Sequence, residues 1–146
     1  MQYFIGIDLG TSAVKLLLVD STGKICSTVS REYPLYFPHP GWSEQNPEDW
    51  WQGVVRGLRV ILEKANVPAE DILGLSYSGQ MHGLVALDAA GAVLRPSILW
   101  CDQRTADECE EITRTVGRER LIRITANPAV TGFTASKLLW VRRHEP

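Results

Sequence analysis

The chain predicts an α/β fold, on three grounds. Two apolar runs flank a short Gly-Thr-Ser connection near the start; an amphipathic helical segment follows an Asn-Pro step; and the apolar run after that helix passes straight into a polar segment bracketed by glycines. The first feature reads as a β-hairpin, the second as a helix laid on a sheet, and the third as a strand with a candidate site at its end.

In the hairpin, Tyr3 to Leu9 is apolar except for Gly6 and Asp8, and Val14 to Val19 is apolar except for Lys15. At its tip Gly10 permits close backbone approach or positive φ, while Thr11 and Ser12 add short donors beside main-chain N–H groups that can form an anion-binding concavity. Gly10, Thr11, Ser12 and Lys15 are therefore phosphate-binding candidates. An ionised Asp8 beside phosphate would be repelled unless a cation such as hydrated Mg²⁺ lay between them, so Asp8 is the candidate metal or metal-water ligand. Gly-Thr-Ser is equally an ordinary set of turn residues. What tips the balance toward a ligand is the cost of burying an unpaired carboxylate at the end of an apolar strand.

With 146 residues, 45% hydrophobic and 22% charged, the chain is long enough and apolar enough for a globular core. Its net charge of −2 and lack of a basic block argue against a nucleic-acid or membrane-surface partner. No apolar run approaches the roughly 20 residues of a membrane span, and no signal peptide is evident, so a cytoplasmic location is expected. Cys26, Cys101 and Cys109 are too few and too scattered for a disulfide framework or a metal knuckle and are expected as reduced thiols.

After a turn at Asp20 to Gly23, Lys24 to Glu32 is a third antiparallel strand. Tyr33 to Asn46, with Pro34, Pro38, Pro40 and Gly41, is a loop in which Trp42 caps the core in preference to walling a ligand. Asn46-Pro47-Glu48-Asp49 starts a helix whose buried stripe is Trp51, Val54, Val55, Leu58, Ile61, Leu62 and Ala65, and Asn66 and Pro68 end it. Ile72 to Tyr77 is the next strand, Leu84 to Leu87 a further one, and Ser97 to Trp100 continues the sheet. Between them Gln80 and His82 can direct hydrogen bonds at sugar hydroxyls with Met81 as an apolar contact; a His tucked against backbone at a turn is the alternative. Asp102, ahead of a helix over Thr105 to Thr115, is either its N-cap or the holder of a sugar hydroxyl positioned by Arg104. Leu121 to Ile124 is a short helix and Ala135 to Arg143 the last one.

Five blocks together resemble the N-terminal domain of the FGGY carbohydrate kinases: Ile5-Gly-Ile-Asp-Leu-Gly-Thr-Ser, His39-Pro-Gly-Trp-Ser-Glu-Gln-Asn-Pro, Ser78-Gly-Gln-Met-His-Gly, Ile98-Leu-Trp-Cys-Asp-Gln-Arg and Gly132-Phe-Thr-Ala-Ser-Lys-Leu-Leu-Trp-Val. Met81-His82 points to the branch that phosphorylates xylulose. The resemblance implies an actin-like or RNase H-like domain with a mixed β-sheet flanked by helices, and residues 1–146 as a sugar-binding lobe. It implies ATP and Mg²⁺ as cofactors and a ketopentose as substrate, and it leaves a homodimer open. By the same resemblance the ATP-binding lobe and the general base are absent from this chain, so the isolated chain is expected to be inactive. A kinase acting on ribulose or gluconate, or a non-catalytic sugar-binding module, is the competing reading.

Overall fold

The computed structural model describes all 146 residues. In chain order they form β1 (Tyr3–Leu9), β2 (Ala13–Asp20), β3 (Ile25–Glu32), β4 (Glu44–Gln45), α1 (Pro47–Ala65), a short 3₁₀ turn (Ala69–Asp71), β5 (Ile72–Gly79), β6 (Ser97–Ile98), α2 (Ala106–Val116), α3 (Arg118–Thr125) and α4 (Thr134–His144). Two compact units result, one from Met1–Leu35 with Asn46–Gln80 and the other from Tyr36–Gln45 with Met81–Pro146.

In the first unit the sheet order is β3-β2-β1-β5, antiparallel across the first three strands and parallel between β1 and β5, a mixed sheet. Strand alternation divides the side chains cleanly. Ile5, Ile7, Val14, Leu16, Leu18 and Val29 point into a core with Ile61 of α1, whereas Gly6, Asp8, Lys15 and Leu17 occupy the alternate positions. The signals that begin and end α1 behave as the sequence expects. The Asn46 side chain accepts from the Glu48 N–H, Pro47 sits in the first turn, and Asn66 closes the helix in the left-handed conformation at φ 51°.

Of the expected buried stripe of α1, Ile61 is in the core and Val54, Leu58, Leu62 and Ala65 pack against it, but Trp51 does not. Trp51 is 61% exposed, and Trp50 packs on the core in its place. Two glycines explain the exchange of Trp51 for Trp50. A Cβ on Gly53 would lie 3.2 Å from Val14, and one on Gly57 would lie 2.4 Å from Leu16, so the helix lies closest to β2 along the Gly53-Gly57 line. Trp50 lies near that line, and Trp51 is about 100° further round. Counting apolar residues alone puts Trp51 inside because glycine registers as no hydrophobe.

In the second unit β4 pairs antiparallel with β6 in a separate two-stranded sheet, so the Ser97 segment does not continue the larger one. The strand expected over Leu84 to Leu87 is also absent. Only single bridges form there, Leu84 with Ile98 and Leu87 with Val93. Val85 and Leu87 have no face to cover, being 41% and 53% exposed, and Asp88 turns the chain by accepting the Ala90 and Ala92 N–H groups. Leu84, Ile98 and Trp140 form the core of this unit, with Trp42 packed on it. The Trp42 ring meets Trp140 edge-on at 5.2 Å, which is the capping role expected of it. On α4 the buried side chains are Ser136, Lys137 and Trp140, while Leu138 is exposed. No helix is long and apolar enough to cross a membrane, and the three cysteines are unbridged.

The Gly57 contact gives a test of the packing. Gly57→Val should lower unfolding stability by roughly 1–3 kcal/mol, the cost of overpacking a filled core. Denaturant titration reads this directly, and a variant as stable as the parent would mean that α1 does not approach β2 this closely.

Candidate functional site

Asp8 and Lys15 face one another across β1 and β2, and Ser78 of β5 is the partner of Asp8 on its other side. Strand alternation places Gly6, Asp8, Lys15, Thr28, Ser76 and Ser78 along an open groove of about 440 Å³. Asp8 itself is exposed, so the cost of a buried carboxylate does not apply to it; its position among hydroxyls and an ammonium is what marks it. Ser76 and Thr28 join Ser78 on this face, and the Gly74, Ser76, Ser78 alternation in β5 is their signal in the sequence.

The turn at the end of this hairpin is held firmly. The Gly10 N–H donates to the Ala13 carbonyl at 3.0 Å and the Tyr33 N–H to the Ser12 carbonyl at 3.4 Å. The Tyr33 hydroxyl donates to the Gly10 carbonyl. Burial, with the Asp8 charge as a smaller cause, pushes the Tyr33 phenol up to about 12, so it stays a donor throughout the physiological range. Gly10 is required for close approach and not for positive φ, because a Cβ there would lie 3.1 Å from the Ala13 carbonyl oxygen. Gln80 ends this unit, its N–H donating to the Leu9 carbonyl at 2.8 Å.

In the second unit Met81 and His82 are exposed, and His82 adopts φ 65° without being glycine. A left-handed non-glycine residue costs on the order of 1 kcal/mol and persists only where its surroundings enforce it. Here they do. The His82 carbonyl accepts from Lys137 Nζ at 2.7 Å and from Thr134 Oγ1 at 3.2 Å, and its ring lies 4.6 Å from that of Phe133.

Asp102 and Arg104, expected at the ligand, are buried against each other. Asp102 has no exposed surface. Its carboxylate accepts from the Ser43 N–H at 2.7 Å, from the Arg104 N–H at 2.9 Å and from the Arg104 guanidinium at 2.8 to 3.0 Å. Nor is Asp102 the N-cap of α2. Thr105 takes that position without a side-chain capping bond, its hydroxyl meeting Ser136 at 2.9 Å instead. Arg104 also pairs with Glu44 at 2.8 Å and lies 3.7 Å over the Trp42 ring. Asp102 and Arg104 thus fix the loops that carry Ser43 and Glu44.

Lys137 is a buried charge that the sequence pattern does not single out. It is fully buried, and its ammonium donates to two main-chain carbonyls, His82 and Gly132, each at 2.7 Å. Burial lowers its pKa to about 8, opposed by Asp102 and Cys101 and assisted by Arg104. A composition of charged and apolar residues in α4 assigns a lysine to the solvent side, so the only available signal was its place after Gly132-Phe133-Thr134.

No group of three His, Cys, Asp or Glu residues could hold a metal ion. The chain therefore offers no all-protein cage, but a single exposed carboxylate fits a magnesium ion that keeps most of its waters and is shared with phosphates.

Because the folded pKa of Lys137 lies below its unfolded value of 10.5, the unfolded chain binds more protons between about pH 8 and 10.5 and stability gains with rising pH across that window. Below pH 8 the burial penalty of the charged form is present in full. Between about pH 8 and 10.5 the stability difference between parent and Lys137→Met should shift in the parent's favour as pH rises, by up to about 1.4 kcal/mol per pH unit. A flat difference would contradict the burial of this ammonium.

Residues 3–146 match the N-terminal domain of the FGGY family of carbohydrate kinases. The chain is 53% identical over 146 residues to the xylulose kinase of Bacillus subtilis, covering 100% of this chain and 29% of that protein. It is 46% identical to the xylulose kinase of Escherichia coli K12, covering 98% of this chain and 29% of the relative. The crystal structure of the Rhodospirillum rubrum xylulose kinase superposes with a TM-score of 0.93 at 35% identity, covering 99% of this chain and 30% of the other. The chain thus spans less than a third of the length of these relatives. Its mixed sheet flanked by helices is the actin-like fold of the sugar kinases, and the chain belongs to the FGGY family of carbohydrate kinases.

Proposed function

We propose that the protein containing this chain transfers the γ-phosphoryl group of ATP to D-xylulose, giving xylulose 5-phosphate and ADP, with residues 1–146 in its sugar-binding lobe. The observation that carries this reading is the exposed Met81-His82 pair on an enforced left-handed turn, in a chain whose relatives are named xylulose kinases. An imidazole fixed in direction suits a sugar hydroxyl, and a thioether beside it suits the C–H edge of the ring or chain. Asp102 and Arg104 act in the same unit by fixing the 41–45 segment.

The groove beside Asp8 is assigned to the phosphates. The backbone N–H groups of the Gly10-Thr11-Ser12 turn and the Lys15 ammonium would meet phosphate oxygens, and Asp8 would hold a hydrated magnesium ion. When bound, that ion supplies charge neutralisation on the phosphates. The chemistry is an in-line displacement in which the sugar oxygen forms the new bond to phosphorus as the bond to the ADP oxygen breaks. The proton of the hydroxyl goes to a carboxylate other than Glu44, Asp102 and Asp8. Glu44 and Asp102 are committed to Arg104, and Asp8 faces the phosphates. The reaction is placed in the cytoplasm, where ATP and reduced thiols coexist.

Kinetics of two variants of the full-length enzyme test the two halves of this assignment. His82→Ala should lower kcat/KM for D-xylulose by about 5- to 150-fold while leaving KM for ATP unchanged, the effect of removing one hydrogen bond in a partly dry site. Asp8→Asn should lower kcat by about 100-fold or more. Unchanged xylulose kinetics in a folded His82→Ala enzyme, or higher kcat/KM on ribulose or gluconate than on xylulose in the parent, would overturn the sugar assignment. Near-normal turnover of Asp8→Asn would remove the metal role.

A further inference from the structure

We propose that Lys137 is a positioning residue for sugar recognition: its buried ammonium fixes the carbonyl of His82 and so sets the direction of the His82 imidazole. The inference rests on the assignment of His82 to the sugar. Three groups at the start of α4 converge on this one residue. Lys137 Nζ and Thr134 Oγ1 both donate to the His82 carbonyl, and the Phe133 ring lies against the imidazole. The second Lys137 bond, to Gly132, ties the same ammonium to the segment leading into the helix. A Cβ on Gly132 would lie 2.8 Å from the Trp100 carbonyl oxygen, so that segment is itself held close to the Trp100 backbone.

The chemistry of the buried group supports a positioning role over simple packing. Both acceptors are neutral main-chain carbonyls, and a fully buried ammonium is expensive to desolvate. A methionine of similar length would fill the space without that cost. What methionine lacks is the pair of donors, one of which meets the carbonyl of the left-handed His82 and the other that of Gly132. Charge-assisted bonds are the stronger kind and suit an enforced conformation. Lys137 itself lies beneath the turn and acts on the sugar through His82.

Lys137→Met in the full-length enzyme tests this with two readouts. Amide hydrogen exchange at Leu84, whose N–H donates to the Ile98 carbonyl at 2.9 Å, should accelerate by roughly tenfold or more through local opening of the turn, and KM for D-xylulose should rise by about tenfold with KM for ATP unchanged. In a His82→Ala background, Lys137→Met should add little further loss in sugar KM, because the lysine works through that imidazole. Unchanged exchange would overturn the proposal, as would a fully additive loss in the double variant. If the parent enzyme fails to phosphorylate xylulose while the exchange effect is present, the sugar assignment falls and the clamp on His82 stands. Should Lys137→Met not fold, Thr134→Ala removes the exposed donor to the same carbonyl. It should raise KM for D-xylulose by roughly threefold or more, and sugar kinetics identical to the parent would count against the clamp.

Discussion

Arg104 is a guanidinium with no exposed side-chain surface, and every direction in which it could have met water is taken by the protein. Asp102 grips it in the plane, Glu44 takes a further nitrogen at 2.8 Å, and Trp42 covers one face at 3.7 Å. Arg95 extends the network, pairing with Glu44 at 2.9 Å and with Glu145 at 2.7 Å. Such a network gives little net stability over an apolar replacement, because desolvation offsets most of the attraction. Its consequence is geometric. Removing Asp102 or Arg104 leaves a buried charge short of its partner, so the Tyr36–Gln45 segment and the residues after β6 are held in one arrangement in this unit.

The first unit solves a different problem. Its sheet has one face filled by α1, and the close approach at Gly53 and Gly57 leaves that face no freedom. The alternate positions of the same strands carry glycine, serine, threonine, aspartate and lysine beside Leu17. Each residue that fixes a strand to the helix therefore fixes the register of a polar neighbour on the other side. Asp8, Lys15 and Ser78 are consequently held by backbone pairing and need no mutual side-chain bonds to stay in place.

What the sequence made legible follows from local physics. The hairpin, the Asn46-Pro47 start of α1, its Asn66 end and the capping role of Trp42 all depend on residues acting on near neighbours or on bulk apolarity. The family blocks named the fold. The reading went astray where long-range packing decides. Trp51 was turned out by two glycines that carry no hydrophobic signal, and Leu84 to Leu87 alternates like a strand but finds no partner beyond single bridges. Asp102 has the sequence position of a cap, yet its carboxylate is claimed by an arginine two residues on. Lys137 was hidden because a lysine on a helix is assigned to solvent by default, and only the tertiary structure brings the His82 carbonyl to it.

The central claim is that the exposed imidazole of His82, set in a left-handed turn, meets the sugar. The most direct measurement is a crystal structure of the full-length protein with D-xylulose bound. The account predicts a sugar hydroxyl within about 3.2 Å of a His82 ring nitrogen, with the His82 carbonyl still held by Lys137. A sugar bound with no polar contact to His82, its ring resting only on Phe133, would contradict it.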